Sequence, residues 1–193
     1  MRTQSIAIDL GGTIEDSWHS KRMWFASRGF DLGPWPRCRM EIVQRIGGQE
    51  ALYERMAEEV YNDTNILNRQ PVEGAVVALH TMAERFRLVI VSSRTEKFRP
   101  TTVEWLLRHN MIGLIDEIAF LGADNSKLEW CLGAGVSALI DDDVRHLESV
   151  GEHTKITGIH FCASPLKPQQ QNQKLVRATN WKEILKILQT LTP

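Results

Sequence analysis

Five short apolar runs constrain this chain most: SIAIDL (5–10), RLVIVSS (87–93), DEIAFLG (116–122), VSALIDDD (136–143) and KITGIHFC (155–162). They are solidly apolar rather than alternating, which describes strands buried on both faces. Helical segments separate them. PVEGAVVALHTMAERF (71–86) is amphipathic with Pro in its first turn, and PTTVEWLLRHN (100–110) carries Asn110 near its end. SKLEWCLGAG (126–135) has Ser126 as its cap, a short helix is expected over 143–151, and NWKEILKILQTL (180–191) closes the pattern. Strands alternating with helices give an α/β fold, a parallel central sheet with helices on both faces as a three-layer sandwich. The Gln-rich stretch within 163–174 reads as a solvated connector.

Between 14 and 70 nothing reads as a strand. Residues 17–29 form a helix that Ser17 can cap and Gly29 can stop, and DLGPWP (31–36) is a loop. Residues 37–46 and 49–62 look helical, the second with Leu52, Met56 and Val60 every four residues. The expected organisation is a sheet domain of residues 1–13 and 71–193, interrupted by a helical insertion over 14–70.

The length of 193 residues suits one core with such an insertion. A formal net charge of −1 gives no electrostatic case for nucleic acid or for an anionic membrane. No run approaches the ~18 apolar residues of a membrane span, and MRTQS leads straight into the first strand, so a cytoplasmic location is expected. Cys38, Cys131 and Cys162 are scattered and odd in number, which suits reduced thiols.

In open α/β sheets, ligands sit at the carboxyl ends of the strands. Here the first strand ends at Asp9, followed by Gly12-Thr13. Another ends in Ser92-Ser93-Arg94, and another in Asp141-Asp142-Asp143, with Lys127 opening the helix before it. The opening IAIDLGGTIEDSW also resembles that of the actin-like sugar kinases. Those need a β-hairpin after Gly-Gly-Thr and two related domains, and helical spacing follows here instead. The order Asp, hydroxyl, Lys, acidic pair resembles the four motifs of the haloacid dehalogenase-like (HAD) hydrolases over roughly residues 5–162. The stretches 71–94 and 127–147 look like the second half of HAD phosphatases, small nucleotidase-like members included.

That resemblance implies a Rossmann-like core with a small helical cap and Mg²⁺-dependent hydrolysis of a small phosphorylated metabolite. Asp9 would be the nucleophile, forming an aspartyl-phosphate. Asp9, Asp142 and the carbonyl of Gly11 would bind the metal, with Asp141 a further acid, either an outer ligand or the partner of Lys127. Ser92 and Lys127 would hold phosphoryl oxygens, and Thr13 would orient the Asp9 loop. Gly12, Ser93 and Arg94 would contact substrate.

Position 11 departs from the pattern. HAD phosphatases carry there a second Asp that protonates the leaving group, and Gly11 has no side chain for a proton. General acid–base catalysis typically contributes about 10²–10⁴-fold. A good leaving group, a substitute among Glu15, Asp16 and His19, or a site that binds without turnover would each answer the gap. Gly11→Asp would be expected to raise activity on alkyl or aryl phosphates. A metal-independent dehalogenase, with Arg37 or Arg39 on the halide, leaves the acids at 141–143 uncompensated. A Schiff-base mechanism would require a cap lysine, and none occurs between Lys21 and Lys97.

The insertion is rich in Trp, Arg and His. Trp24 and Phe25 suit its own small core. Trp35, between two prolines, suits a substrate contact or a homodimer interface.

Overall fold

The computed structural model describes residues 4–33, 39–122, 126–147, 155–162 and 175–191. Six strands form one parallel sheet: β1 (Ser5–Ile8), β2 (Arg87–Ser92), β3 (Glu117–Phe120), β4 (Ala138–Asp141), β5 (Thr157–Phe161) and β6 (Leu175–Ala178). Their order is β3-β2-β1-β4-β5-β6. β1 therefore lies between β2 and β4, in register Ile8 to Ile90 on one side and Ile8 to Ile140 on the other.

Eight α-helices are described: α1 (Trp18–Ala26), α2 (Arg39–Arg45), α3 (Glu50–Val60), α4 (Asp63–Asn68), α5 (Ala75–Ala83), α6 (Arg99–Arg108), α7 (Lys127–Gly133) and α8 (Trp181–Gln189). Side chains alternate across a strand, and each face of the sheet is covered. Ile6, Ile8, Ile90 and Ile140 pack with α5, α6 and α8 through Leu79, Trp105 and Trp181. Ala7, Val89, Val91 and Leu139 face the other way, against Cys131 of α7, Leu147 and Ile156. This is the α/β three-layer sandwich expected from the alternating runs. Among the described residues no helix is long and apolar enough to cross a membrane.

Helices α1 to α3 follow β1 and build an apolar cluster of their own around Trp24, Phe25, Leu32, Ile42 and Met56, whereas α4 packs through Ile66 into the sheet's core beside Trp105 of α6. Tyr53, Met56 and Val60 are the buried stripe of α3, while Leu52 is only partly buried. Met56 and Val60 are thus buried as the four-residue spacing suggested, and Tyr53 takes the place of Leu52. Ser17 precedes α1 but its side chain makes no cap; Asp16 accepts the Trp18 N–H instead, at 2.9 Å. α4 was not expected, and its start is capped by Asn62, which accepts from Asn65. β6 was not expected either: it is a four-residue edge strand and mostly half-buried, so it carries no solid apolar run. A 3₁₀ turn, Val144–His146, stands within the helix expected over 143–151; residues 148–151 of that segment, and all of 163–174, lie outside the described residues.

One buried ionic junction ties the start of the insertion, its end and the tip of β2. Glu15 is fully buried and accepts from Arg94 through both oxygens, at 2.8 and 2.6 Å. Arg69, just past α4, donates to the same carboxylate and to the Val60 carbonyl, the latter at 3.0 Å. The indole of Trp105 on α6 donates to the Arg69 carbonyl at 2.9 Å. Burial pushes the Glu15 carboxyl up, but Arg94 and Arg69 outweigh it and hold the group below its ordinary value.

Removing one partner of such a buried network typically costs about 3–5 kcal/mol. Glu15→Gln is therefore expected to lower the urea midpoint strongly at neutral pH. Because the folded value is depressed, the stabilisation from ionised Glu15 is complete above its unfolded value of 4.5 and fades as pH falls through the lower folded value. The gap between wild type and variant should narrow in acid. A gap near zero at neutral pH, or one independent of pH, would contradict the junction's role.

Candidate active site

The carboxyl ends of β2, β1 and β4 are neighbours, at the point where the strand order reverses direction. Asp9 follows β1 directly, its N–H donating to the Ile140 carbonyl at 2.8 Å. The chain then turns back on itself: Gly12 N–H donates to the Glu15 carbonyl, and Glu15 N–H to that of Leu10, both at 2.8 Å. Gly12 has φ of 104°, and a Cβ built there would lie 2.4 Å from Asp142 Oδ2. Only glycine permits that approach.

Lys127, at the first position of α7, is 2% exposed. Ser126 caps this helix by accepting from Glu129 at 3.3 Å, which fixes where the lysine enters. Its ammonium donates to Asp9 Oδ1 and to Asp141 Oδ2, the second at 2.7 Å. His146 Nδ1 lies 3.0 Å from the same Asp141 oxygen, and Asp143 N–H donates to Asp141 Oδ1 at 2.8 Å. Both oxygens of Asp141 are thus engaged within the protein. Asp143 caps the 3₁₀ turn and pairs with Arg145 at 3.0 Å.

Asp9, Asp141 and Asp142 each bring one carboxylate oxygen within 4.8 Å of the others. Burial pushes all three carboxyls up. For Asp141 the Lys127 and His146 interactions prevail and bring it to about 2. For Asp9, Lys127 offsets burial only in part and Asp141 adds repulsion, so the group stays raised. Asp142 is raised well above its ordinary value by burial and by its neighbour Asp9. One ammonium does not neutralise this cluster. An all-oxygen donor set short of positive charge fits a hard divalent ion such as Mg²⁺, with Asp9 and Asp142 the less engaged carboxylates.

Other expected site residues fall as follows. Ser92 ends β2, is 2% exposed, and its hydroxyl accepts from Arg94 N–H at 3.2 Å. Ser93 lies on the cavity wall beside it. Thr13 is fully buried and its hydroxyl makes no hydrogen bond among the described residues, so the Asp9 loop is held by backbone bonds rather than by Thr13. Arg94 is turned into the junction with Glu15. Trp35 and Arg37 lie outside the described residues. Neither acid suggested as a replacement for residue 11 is available: Glu15 is locked as a carboxylate between two guanidiniums and Asp16 caps α1, while His19 is exposed on α1.

A cavity of about 550 Å³ opens over these tips. Its far wall comes from the insertion, through Lys21, Tyr53 and Tyr61. These three were missed in the sequence. Lys21 had a signal, because it shares the buried stripe of α1 with Trp18 and Trp24 at three-residue intervals. Burial pulls the Lys21 ammonium down, but Tyr61, Tyr53 and Asp142 outweigh it, so it keeps its proton. A lysine of the insertion therefore does reach the cavity, one that counting only between Lys21 and Lys97 left out.

No family model matches the chain, and no curated protein matches it. Solved structures do. A haloacid dehalogenase-like family hydrolase from Streptococcus pneumoniae superimposes with a TM-score of 0.59 at 15% identity, covering 96% of this chain and 98% of that one. A protein named as a HAD-hydrolase from Bacillus subtilis, bound to magnesium, gives 0.61 at 11% identity over 97% and 99%. A HAD family hydrolase from Deinococcus radiodurans, with bound phosphate and sodium, gives 0.56 at 13% identity over 97% and 95%. With the strand order and the helices on both faces, these likenesses show that the chain has the haloacid dehalogenase-like fold.

Proposed function

We propose that the protein is a Mg²⁺-dependent hydrolase of the HAD phosphatase type that acts on a small phosphorylated metabolite in the cytoplasm. The observation that carries this reading is the buried cluster at the strand tips. Asp9 shares Lys127 with Asp141, and its oxygen lies within 4.8 Å of one oxygen of Asp142. The magnesium and the phosphate bound in two proteins of the same fold are consistent with it.

In this reading Asp9 attacks phosphorus and becomes an aspartyl-phosphate, which water then hydrolyses. Asp9, Asp142 and the Gly11 carbonyl would hold the ion, with Asp141 serving as the anchor of Lys127. Bound there, Mg²⁺ would screen the repulsion between a carboxylate nucleophile and a phosphate anion. Lys127 orients the Asp9 carboxylate and, with the Ser92 hydroxyl, offers positive charge and a donor to the phosphoryl oxygens. The wall of Tyr53, Tyr61 and Lys21 limits the water around the reacting atoms and meets the leaving group.

Asp9→Asn is expected to abolish phosphate release from a metabolite panel while the circular dichroism spectrum stays that of wild type. Undiminished release would exclude this nucleophile. Mg²⁺ at a hundredfold excess over its dissociation constant is expected to stabilise the wild type by about 2.7 kcal/mol, read as a rise in Tm. Asp142→Asn should erase most of that rise, and an equal rise in both proteins would place the ion elsewhere. A wild type that retains a phosphorylated ligand and never turns it over would favour a binding protein.

A further inference from the structure

Gly11 leaves a gap where the phosphatase pattern needs a proton donor. A Cβ built on Gly11 would lie 3.1 Å from Arg94 Nη2 and 3.9 Å from the Tyr61 hydroxyl. These two side chains occupy the space into which a residue-11 side chain would project. Arg94 stays protonated at any working pH and is bonded twice to Glu15, so it carries no mobile proton. The phenol of Tyr61 does.

Tyr61 follows α3, at the inner edge of the insertion, and lines the same cavity as Asp9 and Ser92. Three cations surround its ring: the guanidinium carbons of Arg69 and Arg94 at 4.6 and 5.2 Å from the centroid, and the Lys21 ammonium at 5.9 Å. A single carboxylate, Glu15, is bonded to two of the three. Such an excess of positive charge eases loss of the hydroxyl proton. Burial pushes the hydroxyl up, and Lys21, Arg69 and Arg94 together carry it below its ordinary value.

Resting on the phosphoryl-transfer reading above, we infer that Tyr61 is the proton donor that replaces the missing acid at position 11, supplied by the insertion rather than by the sheet. As Asp9 forms its bond to phosphorus, the bond from phosphorus to the leaving oxygen breaks and its electron pair goes to that oxygen. The Tyr61 hydroxyl proton passes to the same oxygen, and the phenolate left behind is held by the three cations. In the second step water attacks the aspartyl-phosphate, its proton returns to Tyr61, and the electron pair of the breaking bond restores the Asp9 carboxylate. The substrate class follows. An alkyl phosphate ester, whose alkoxide leaves poorly, is within reach, and the enzyme is not confined to anhydrides such as acyl phosphates.

The test compares wild type, Tyr61→Phe and Asp9→Asn, each full-length with Mg²⁺, on acetyl phosphate, on aryl phosphates of graded leaving-group acidity and on glycerol phosphate. Tyr61→Phe keeps the ring and loses only the hydroxyl. It is expected to lose about 10²–10⁴-fold on glycerol phosphate and less than about tenfold on acetyl phosphate, with rates that depend steeply on leaving group. Wild-type rates should vary little across the series. Equal losses on all probes, or no loss, would overturn the role of Tyr61, as would a wild type that cleaves acetyl phosphate alone. Full activity of Asp9→Asn would instead overturn the phosphoryl-transfer reading itself.

Discussion

The buried ammonium of Lys127 is the interaction on which the site depends. Three carboxylates stand at the tips of β1 and β4, and without this charge their mutual repulsion and desolvation would oppose closing the sheet there. Lys127 bonds to two of them and is itself kept charged: burial pulls it down, and Asp141 and Asp9 more than restore it. The division of labour among the acids follows from what remains. Asp141, with Lys127 and His146 on one oxygen and a backbone N–H on the other, is satisfied within the protein. Asp9 and Asp142 are left short of positive charge, which is the electrostatic condition for holding an added cation.

A second charged cluster stands across the cavity, with the opposite imbalance. Lys21, Arg69 and Arg94 gather around Tyr61 with Glu15 bonded to the two guanidiniums. The same Glu15 fastens the insertion to the sheet, so the fold's junction and the environment of Tyr61 are one network. This arrangement gives Gly11 a structural reason. Its missing side chain leaves room for the Arg94 guanidinium, and a carboxylate introduced there would meet that guanidinium and be held ionised, the wrong state for a proton donor. The rise in activity that Gly11→Asp promised on sequence grounds loses its basis.

What could be read in the sequence was whatever is local. Solid apolar runs such as ALID and RLVIVS are strands because both faces are covered, and their polar ends fall together because a parallel sheet places all carboxyl ends on one side. β6 escaped because an edge strand needs no such run. The Lys21–Tyr61–Arg69–Arg94 cluster escaped for a different reason. Its members come from α1, the end of α3, the residue after α4 and the loop after β2, and no spacing rule links them. Lys21 on the buried face of α1 was the one legible hint. Glu15, an acid before a helix, stood as a candidate proton donor, and only the two arginines far along the chain reveal it as a structural anchor.

In the proposed reaction Asp9 is a nucleophile toward phosphorus beside a divalent ion. Beryllium trifluoride, which mimics a phosphoryl group and bonds to carboxylate oxygen, tests this most directly in a crystal grown with Mg²⁺. Beryllium is expected bonded to Asp9, with a magnesium ion in contact with Asp9 and Asp142. A folded protein in which Asp9 carries no adduct, or in which the adduct forms on another carboxylate, would contradict it.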